Sequence, residues 1–244
     1  MATAYDAWSA RLLADGPIDA LLVGDSVMMV VHGESDTLGA TTEIMALHTR
    51  AVAKGAGKKL IVADMPFLAA RRGREAALDC AAQLLRAGAH AVKIEGIRGH
   101  AEVIAHLVES GIPVMGHLGL TPQSVHAFGG FTVQARSDSD AEALRSDAQA
   151  CVAAGVFALV LECIPSALAK TVTAEIPIPT IGIGAGRHCD GQILVLHDLL
   201  GLIPDFKPRF VRRFGDGAKM VQDAVDAYAK AVRQGTFPKP KEGF

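Results

Sequence analysis

The chain has no Cys-x-x-Cys pair: its four cysteines, Cys80, Cys151, Cys163 and Cys189, are scattered, and three of them sit in apolar surroundings. Reduced core thiols are therefore expected in place of a disulfide framework. An excess of charge of one sign is missing too. Lysine and arginine number 24 against 26 aspartates and glutamates, a formal net charge of −2, which offers no basic surface to nucleic acid or anionic lipid. Met1 to Asp6 carry no basic segment, and the most apolar stretch near them, Leu21 to Val31, is interrupted by Asp25. Neither a signal peptide nor a membrane span is read, and a cytosolic location is expected. Disordered and fibrous classes are excluded because half of the 244 residues are apolar and only 20% are charged. One globular domain over residues 1–244 is the expectation.

Short apolar runs of strand length recur instead: Ala20–Val23, Leu60–Ala63, Ala91–Ile94, Pro113–Met115, Ala158–Leu161, Pro179–Ile183 and Ile193–Leu196. Between several of them lie residues at helical spacing, such as Ile44, Leu47 and Ala51, or Leu144, Ala148, Cys151 and Val152. Glycines 55, 88, 111 and 155 stand where helices should stop. Continuous apolar strands alternating with amphipathic helices predict a parallel sheet covered by helices. With a clipped first strand at Ala2–Tyr5 there are eight, the number in a (β/α)8 barrel of about 250 residues. An open doubly wound sheet is the alternative. Against it, no G-x-G-x-x-G opens a helix after the first strand, and Gly182, Gly184 and Gly186 come late. The last two strands are too close together for the usual helical crossover. A final helix at about 216–234 presents Val221, Val225, Tyr228 and Val232 on one face, expected to pack on the barrel or on a partner subunit.

Two segments echo each other. Residues 87–95 and 154–162 both read Ala-Gly, two residues, Ala, an apolar strand and a glutamate. In a barrel this sets Glu95 and Glu162 at the C-terminal rim, where barrel enzymes keep their chemistry. The other strand ends supply Asp25 and Ser26, Asp64, Lys93 and His117. A single acid there can simply end a strand, and His117 alone can be a core histidine. Four carboxylates beside a lysine and a histidine are harder to explain that way, since their repulsion calls for a cation, and an all-oxygen set favours Mg²⁺ over zinc. Lys93 and Glu95, two apart on a strand, face the same way. A glutamate partly desolvated by an apolar strand is prepared as a general base, and Glu162 fits that description better than Glu95, which has Lys93 beside it.

The segments L-L-V-G-D-S (21–26), A-D-M-P-F (63–67), V-K-I-E-G (92–96), G-H-L-G-L-T-P-Q-S-V (116–125), L-V-L-E-C-I-P (159–165) and I-G-I-G-A-G (181–186) with D-G-Q-I-L-V-L-H-D (190–198) closely resemble the ketopantoate hydroxymethyltransferase family, in order and over nearly the whole chain. The resemblance implies a (β/α)8 TIM barrel of the phosphoenolpyruvate/pyruvate-binding superfamily type, assembled as a homodecamer. It implies transfer of a hydroxymethyl group from 5,10-methylenetetrahydrofolate to 3-methyl-2-oxobutanoate through a Mg²⁺-stabilised enolate, giving ketopantoate on the way to pantothenate and coenzyme A. By the same resemblance Asp25, Asp64 and Glu95 are the Mg²⁺ ligands. Gly24, Asp25, Ser26, Asp64, Lys93 and His117 are substrate-binding residues, and Glu162 is the proton acceptor. Members of that family carry a leader ahead of the first strand, whereas residues 1–6 here begin inside it, so the barrel bottom is expected to be less well covered and the site untouched.

Two competing readings share these residues. A related superfamily lyase would use the same metal without folate, but no catalytic cysteine follows the strand before His117. A scaffold protein that has lost activity would not be expected to keep Asp25, Asp64, Lys93, Glu95 and Glu162. The connection from Thr121 to Ser139 reads either as a lid over the folate or as an ordered packing loop. Lys207, Arg209, Arg212 and Arg213 form a charge run of the kind that is usually just solvated.

Overall fold

The structure is a computed structural model that describes residues 1–205 and 208–244. Along the chain run β1 (Ala2–Thr3), α1 (Ala7–Asp15), β2 (Ala20–Val23), α2 (Val27–Val30), α3 (Thr42–Gly55), β3 (Leu60–Asp64), α4 (Arg74–Arg86), β4 (Ala91–Glu95), α5 (Ala101–Glu109), β5 (Val114–Gly119), α6 (Val125–Phe128), α7 (Asp138–Ala153), β6 (Ala158–Glu162), α8 (Ser166–Glu175), β7 (Thr180–Ile183), β8 (Gly191–Gln192), α9 (Leu196–Leu200) and α10 (Gly217–Arg233). All eight strands pair in parallel and in chain order. A parallel bridge from Leu194 to Ala2, with the Thr3 N–H donating to the Leu194 carbonyl at 3.2 Å, joins the segment after β8 to β1. The expected barrel is therefore present, with its edge groups paired as buried backbone requires.

Period-two alternation divides each strand between two layers. Leu22, Val62, Ala91, Met115, Ala158, Val160 and Ile193 form a small interior cluster. Leu21, Val23, Ile61, Ala63, Val92, Ile94, Leu159 and Leu161 belong to the larger core shared with the helices. Every one of these strand residues is buried, which is why the strands read as unbroken apolar runs in the sequence. Helix starts are capped by side chains that the sequence supplies: Asp6 accepts the Ser9 N–H, Thr41 that of Ile44, and Ser137 that of Asp140.

Several boundaries differ from the sequence expectation. The first strand is Ala2–Thr3 and not Ala2–Tyr5, because Asp6 is already a helix cap. The last is Gly191–Gln192 and not Ile193–Leu196, whose final residue opens α9. Residues 184–190 cross from β7 to β8 without a helix, in keeping with the short spacing read from the sequence. α3 does end at Gly55, but not through a left-handed cap at that residue. A Cβ there would lie 2.1 Å from the Ala7 carbonyl, so it is the close approach of α1 that demands glycine, and the left-handed turn falls at Gly57. The four cysteines are free thiols, three of them buried, and burial pushes Cys151 and Cys163 up to about 12.

The chain divides into two compact units, Met1–Val195 and Leu196–Phe244, and all eight strands lie in the first. In the second, α10 matches the helix read at 216–234, and its apolar residues Val221, Val225, Tyr228 and Val232 are exposed. Of the charge run, Lys207 lies outside the described residues, while Arg213 donates to the Ile203 and Pro204 carbonyls. No helix among the described residues is long and apolar enough to cross a membrane.

Candidate active site

Strand register gathers the polar residues above the interior cluster. Asp64 continues the inward face of Val62, Lys93 and Glu95 that of Ala91, His117 that of Met115, and Glu162 that of Val160. Asp64 is directly opposite Lys93 across β3 and β4, and Glu95 is opposite His117 across β4 and β5. Opposed residues on neighbouring strands are the ones whose side chains meet. Lys93 Nζ accordingly lies 2.9 Å from Asp64 Oδ1, 3.8 Å from Glu95 Oε1 and 3.2 Å from His117 Nδ1. His117 Nδ1 is 3.4 Å from Glu95 Oε1, and on its other side Nε2 faces Glu162 Oε2 at 3.2 Å, a contact of ion-pair length without hydrogen-bond geometry.

Asp25 arrives from the end of β2. Its backbone N–H donates to Asp64 Oδ2 at 3.0 Å, and its own carboxylate accepts from Gln123 Nε2 at 2.8 Å. Ser26, one residue on, exchanges a hydrogen bond of 2.8 Å with the hydroxyl of Tyr5. A Cβ at Gly24 would fall 2.8 Å from Ser26 Oγ and 3.6 Å from Asp64 Oδ2, so the missing side chain keeps the backbone open beside both. The structure thus links Asp25, Asp64, Lys93, Glu95, His117 and Glu162 in one chain of contacts and sets Gly24 and Ser26 beside it.

Two residues with a place in this arrangement were not singled out from the sequence. Tyr5 ends the first apolar run and so falls at the same rim as the acids, but it was read only as a strand residue. Gln123 lies in the conspicuous G-H-L-G-L-T-P-Q-S-V segment and carries no charge to draw attention.

Burying this many charges is costly unless each is partnered. Burial, then the nearby Asp64 and Glu95, raise Asp25 well above the ordinary aspartate value. Burial raises Asp64 as well, although Lys93 opposes it. For Glu95 burial is outweighed by His117 and Lys93, and it is held below the usual range. Burial would lower Lys93, but three carboxylates keep it above its ordinary value and so charged. Burial and Lys93 push His117 down, while Glu162 and Glu95 together outweigh them and bring it up to about 9. Lys93 can only donate, so if Nδ1 is unprotonated it accepts from Lys93; in either state the Nε2 proton faces Glu162. The sequence expectation that Glu162 is the more desolvated glutamate is reversed: its side chain is 15% exposed against 4% for Glu95.

Among the described residues, no three His, Cys, Asp or Glu side chains stand ready-made as a metal site. The Lys93 ammonium sits against Asp64 and Glu95, and the Gln123 amide holds Asp25. The donor set nevertheless fits a divalent cation. When ionised, three buried carboxylates against the Lys93 ammonium and the protonated His117 ring leave one negative charge. Glu95 Oε1 is buried without a directed hydrogen bond and Asp64 Oδ1 is held by the Lys93 ammonium, and hard oxygen donors of this kind suit Mg²⁺.

A sequence model of the family "Ketopantoate hydroxymethyltransferase" matches residues 1–240. Proteins named 3-methyl-2-oxobutanoate hydroxymethyltransferase are similar throughout. That of Bdellovibrio bacteriovorus is 49% identical over all of this chain and 93% of its own length. That of Anaeromyxobacter dehalogenans is 51% identical over all of this chain and 81% of its own. The barrel itself resembles 2,3-dimethylmalate lyase, a PEP mutase/isocitrate lyase superfamily member, with a TM-score of 0.61 at 18% identity, covering 100% of this chain and 85% of that one. It also resembles phosphonopyruvate hydrolase, with a TM-score of 0.63 at 13% identity, covering 99% of this chain and 87% of that one. Those two likenesses speak to fold alone, whereas the sequence match extends through every strand end that carries an acid of the site. The chain belongs to the ketopantoate hydroxymethyltransferase family.

Proposed function

We propose that this protein transfers a hydroxymethyl group from 5,10-methylenetetrahydrofolate to 3-methyl-2-oxobutanoate, with Mg²⁺ held by Asp25, Asp64 and Glu95. The observation that carries the reading is the buried Asp64–Lys93–Glu95 group on the inner face of the barrel, with Glu162 at its more accessible edge. A cation held by Asp25, Asp64 and Glu95 would supply Lewis-acid polarisation of the ketone. Lys93, held charged, and Ser26 supply donors for the carboxylate of the keto acid, and the open backbone at Gly24 leaves room for it.

Glu162 then removes the proton from C3. Its carboxylate oxygen takes the proton, and the C–H electron pair moves toward the ketone oxygen as an enolate. C3 of that enolate attacks the methylene carbon of the folate as one of its two C–N bonds breaks. Water then displaces the remaining nitrogen, its oxygen becoming the product hydroxyl, and the two nitrogens take up one proton from Glu162 and one from the water. His117 keeps Glu162 aimed, since its Nε2 proton faces that carboxylate from a fully buried ring. Holding the two reactants together can recover up to about 7–11 kcal/mol of barrier.

Incubation of the protein with Mg²⁺, 3-methyl-2-oxobutanoate and methylenetetrahydrofolate is expected to yield ketopantoate. Consumption of the keto acid without any need for folate would overturn the reading in favour of lyase chemistry. A finer check concerns Tyr5. Tyr5→Phe removes the hydroxyl bonded to Ser26, and loss of that hydrogen bond, worth about 1 kcal/mol, should raise the keto-acid KM about fivefold. The kcat should change little, because Ser26 contacts a carboxylate that does not react. Steady-state kinetics in saturating folate separates the two constants.

A further inference from the structure

Gln123 touches three strand ends at once. It lies in a single 3₁₀ turn, Pro122–Ser124, just beyond β5. Its side-chain Nε2 donates both of its protons, to Asp25 Oδ2 at 2.8 Å and to the Met65 carbonyl at 2.9 Å. Its backbone N–H donates to Glu95 Oε2 at 2.9 Å. Both side-chain partners are acceptors, so the amide orientation is fixed: turned over, its oxygen would meet a carboxylate and a carbonyl.

The turn that carries Gln123 is itself anchored. The Leu120 N–H donates to the Glu162 carbonyl at 2.9 Å, and the Ser124 N–H donates to the Thr121 carbonyl at 2.8 Å. Gly119, just before it, has a left-handed backbone, and a Cβ there would sit 2.2 Å from the Glu162 carbonyl. The loop after β5 is thereby fastened to β6 on one side and, through Gln123, reaches over β4 and β3 to the end of β2.

The chemistry of these contacts is selective. An arginine or lysine at this position would bind the same oxygens but would offset the negative charge that a cation needs. A neutral amide orients a carboxylate and leaves its charge unspent. One oxygen of Asp25 and one of Glu95 are taken up, while Glu95 Oε1 has no directed hydrogen bond. We infer that Gln123 is a positioning residue for the divalent cation: it holds Asp25 Oδ2 and Glu95 Oε2 so that the other oxygen of each carboxylate is presented to the metal. This rests on the proposed assignment of Asp25 and Glu95 as metal ligands.

The test is titration of the full-length protein with Mn²⁺ alone, followed by electron paramagnetic resonance of free and bound ion, with no substrate present. Wild type is measured first. Gln123→Met keeps length and volume but removes both side-chain donors, and it is expected to bind Mn²⁺ about 10–100-fold more weakly, the usual effect of losing a partner of a metal ligand. The spectrum of the bound ion should change as well, which mere loosening of a loop would not produce. Equal affinity and an unchanged spectrum in the variant would overturn the inference while leaving the metal assignment standing. Absence of Mn²⁺ binding in wild type would instead overturn the metal assignment and the inference with it. Should Gln123→Met fail to fold, Gln123→Asn serves the same comparison, because its amide is one methylene short of Asp25 and its backbone N–H is retained.

Discussion

Turnover of the Glu162→Gln variant is expected to fall by about 10²–10⁴-fold, the usual worth of a general base. Binding of metal and keto acid should survive. Glutamine has the shape of glutamate, and its carbonyl oxygen can take the same place opposite the His117 Nε2 that faces this position at 3.2 Å. What it cannot do is take a proton from C3. Exchange of the C3 deuteron of labelled 3-methyl-2-oxobutanoate with water, followed by NMR without folate, isolates that step from the carbon transfer. It should slow in parallel with turnover. Exchange at the wild-type rate in Glu162→Gln would show that another group removes the proton.

The second large effect separates two aspartates that look alike in the sequence. Asp64→Ala removes the carboxylate 2.9 Å from a buried lysine and the acceptor of the Asp25 N–H. Removing one member of a buried ion pair costs about 3–5 kcal/mol, so the metal-free protein should melt at a markedly lower temperature even though Glu95 remains 3.8 Å from Lys93. Asp25→Asn should do the opposite or nothing. Burial and the charges of Asp64 and Glu95 disfavour its ionised form, and a folded-state pKa above the unfolded one means that the charge costs stability once the pH exceeds the unfolded value. Removing that charge removes the cost, and an asparagine oxygen can still accept from Gln123. Both variants should lose Mg²⁺ binding. Thermal unfolding in EDTA gives the signs directly, and a loss of stability in Asp25→Asn equal to that in Asp64→Ala would contradict the asymmetry.

Much of the fold was legible because burial on both faces leaves a strand as an unbroken apolar run: Ala20–Val23 matches its strand residue for residue. Where an apolar run spans two elements, the pattern misleads. Ile193 joins the interior cluster and Leu196 starts a helix, so residues 193–196 read as a strand although β8 precedes them. The charged members of the site were legible as acids and a lysine at strand ends. Their pairings were not, because register decides that Asp64 stands across from Lys93 and His117 across from Glu95. Gln123 reaches Asp25 across 98 residues of sequence and Tyr5 reaches Ser26 across 21, and neither uncharged side chain announces its partner. Glu95 is the more buried glutamate partly because the turn after β5 covers it, with the Gln123 N–H on its carboxylate.

The buried acids and Lys93 are expected to act as one site in which keto-acid binding depends on a divalent cation. Calorimetric titration of 3-methyl-2-oxobutanoate into the protein, once with Mg²⁺ and once with EDTA, tests it most directly. Binding that is present with Mg²⁺ and lost with EDTA is the result predicted. Equal affinity under both conditions would contradict it, and the carboxylates would then be structural partners of Lys93 alone.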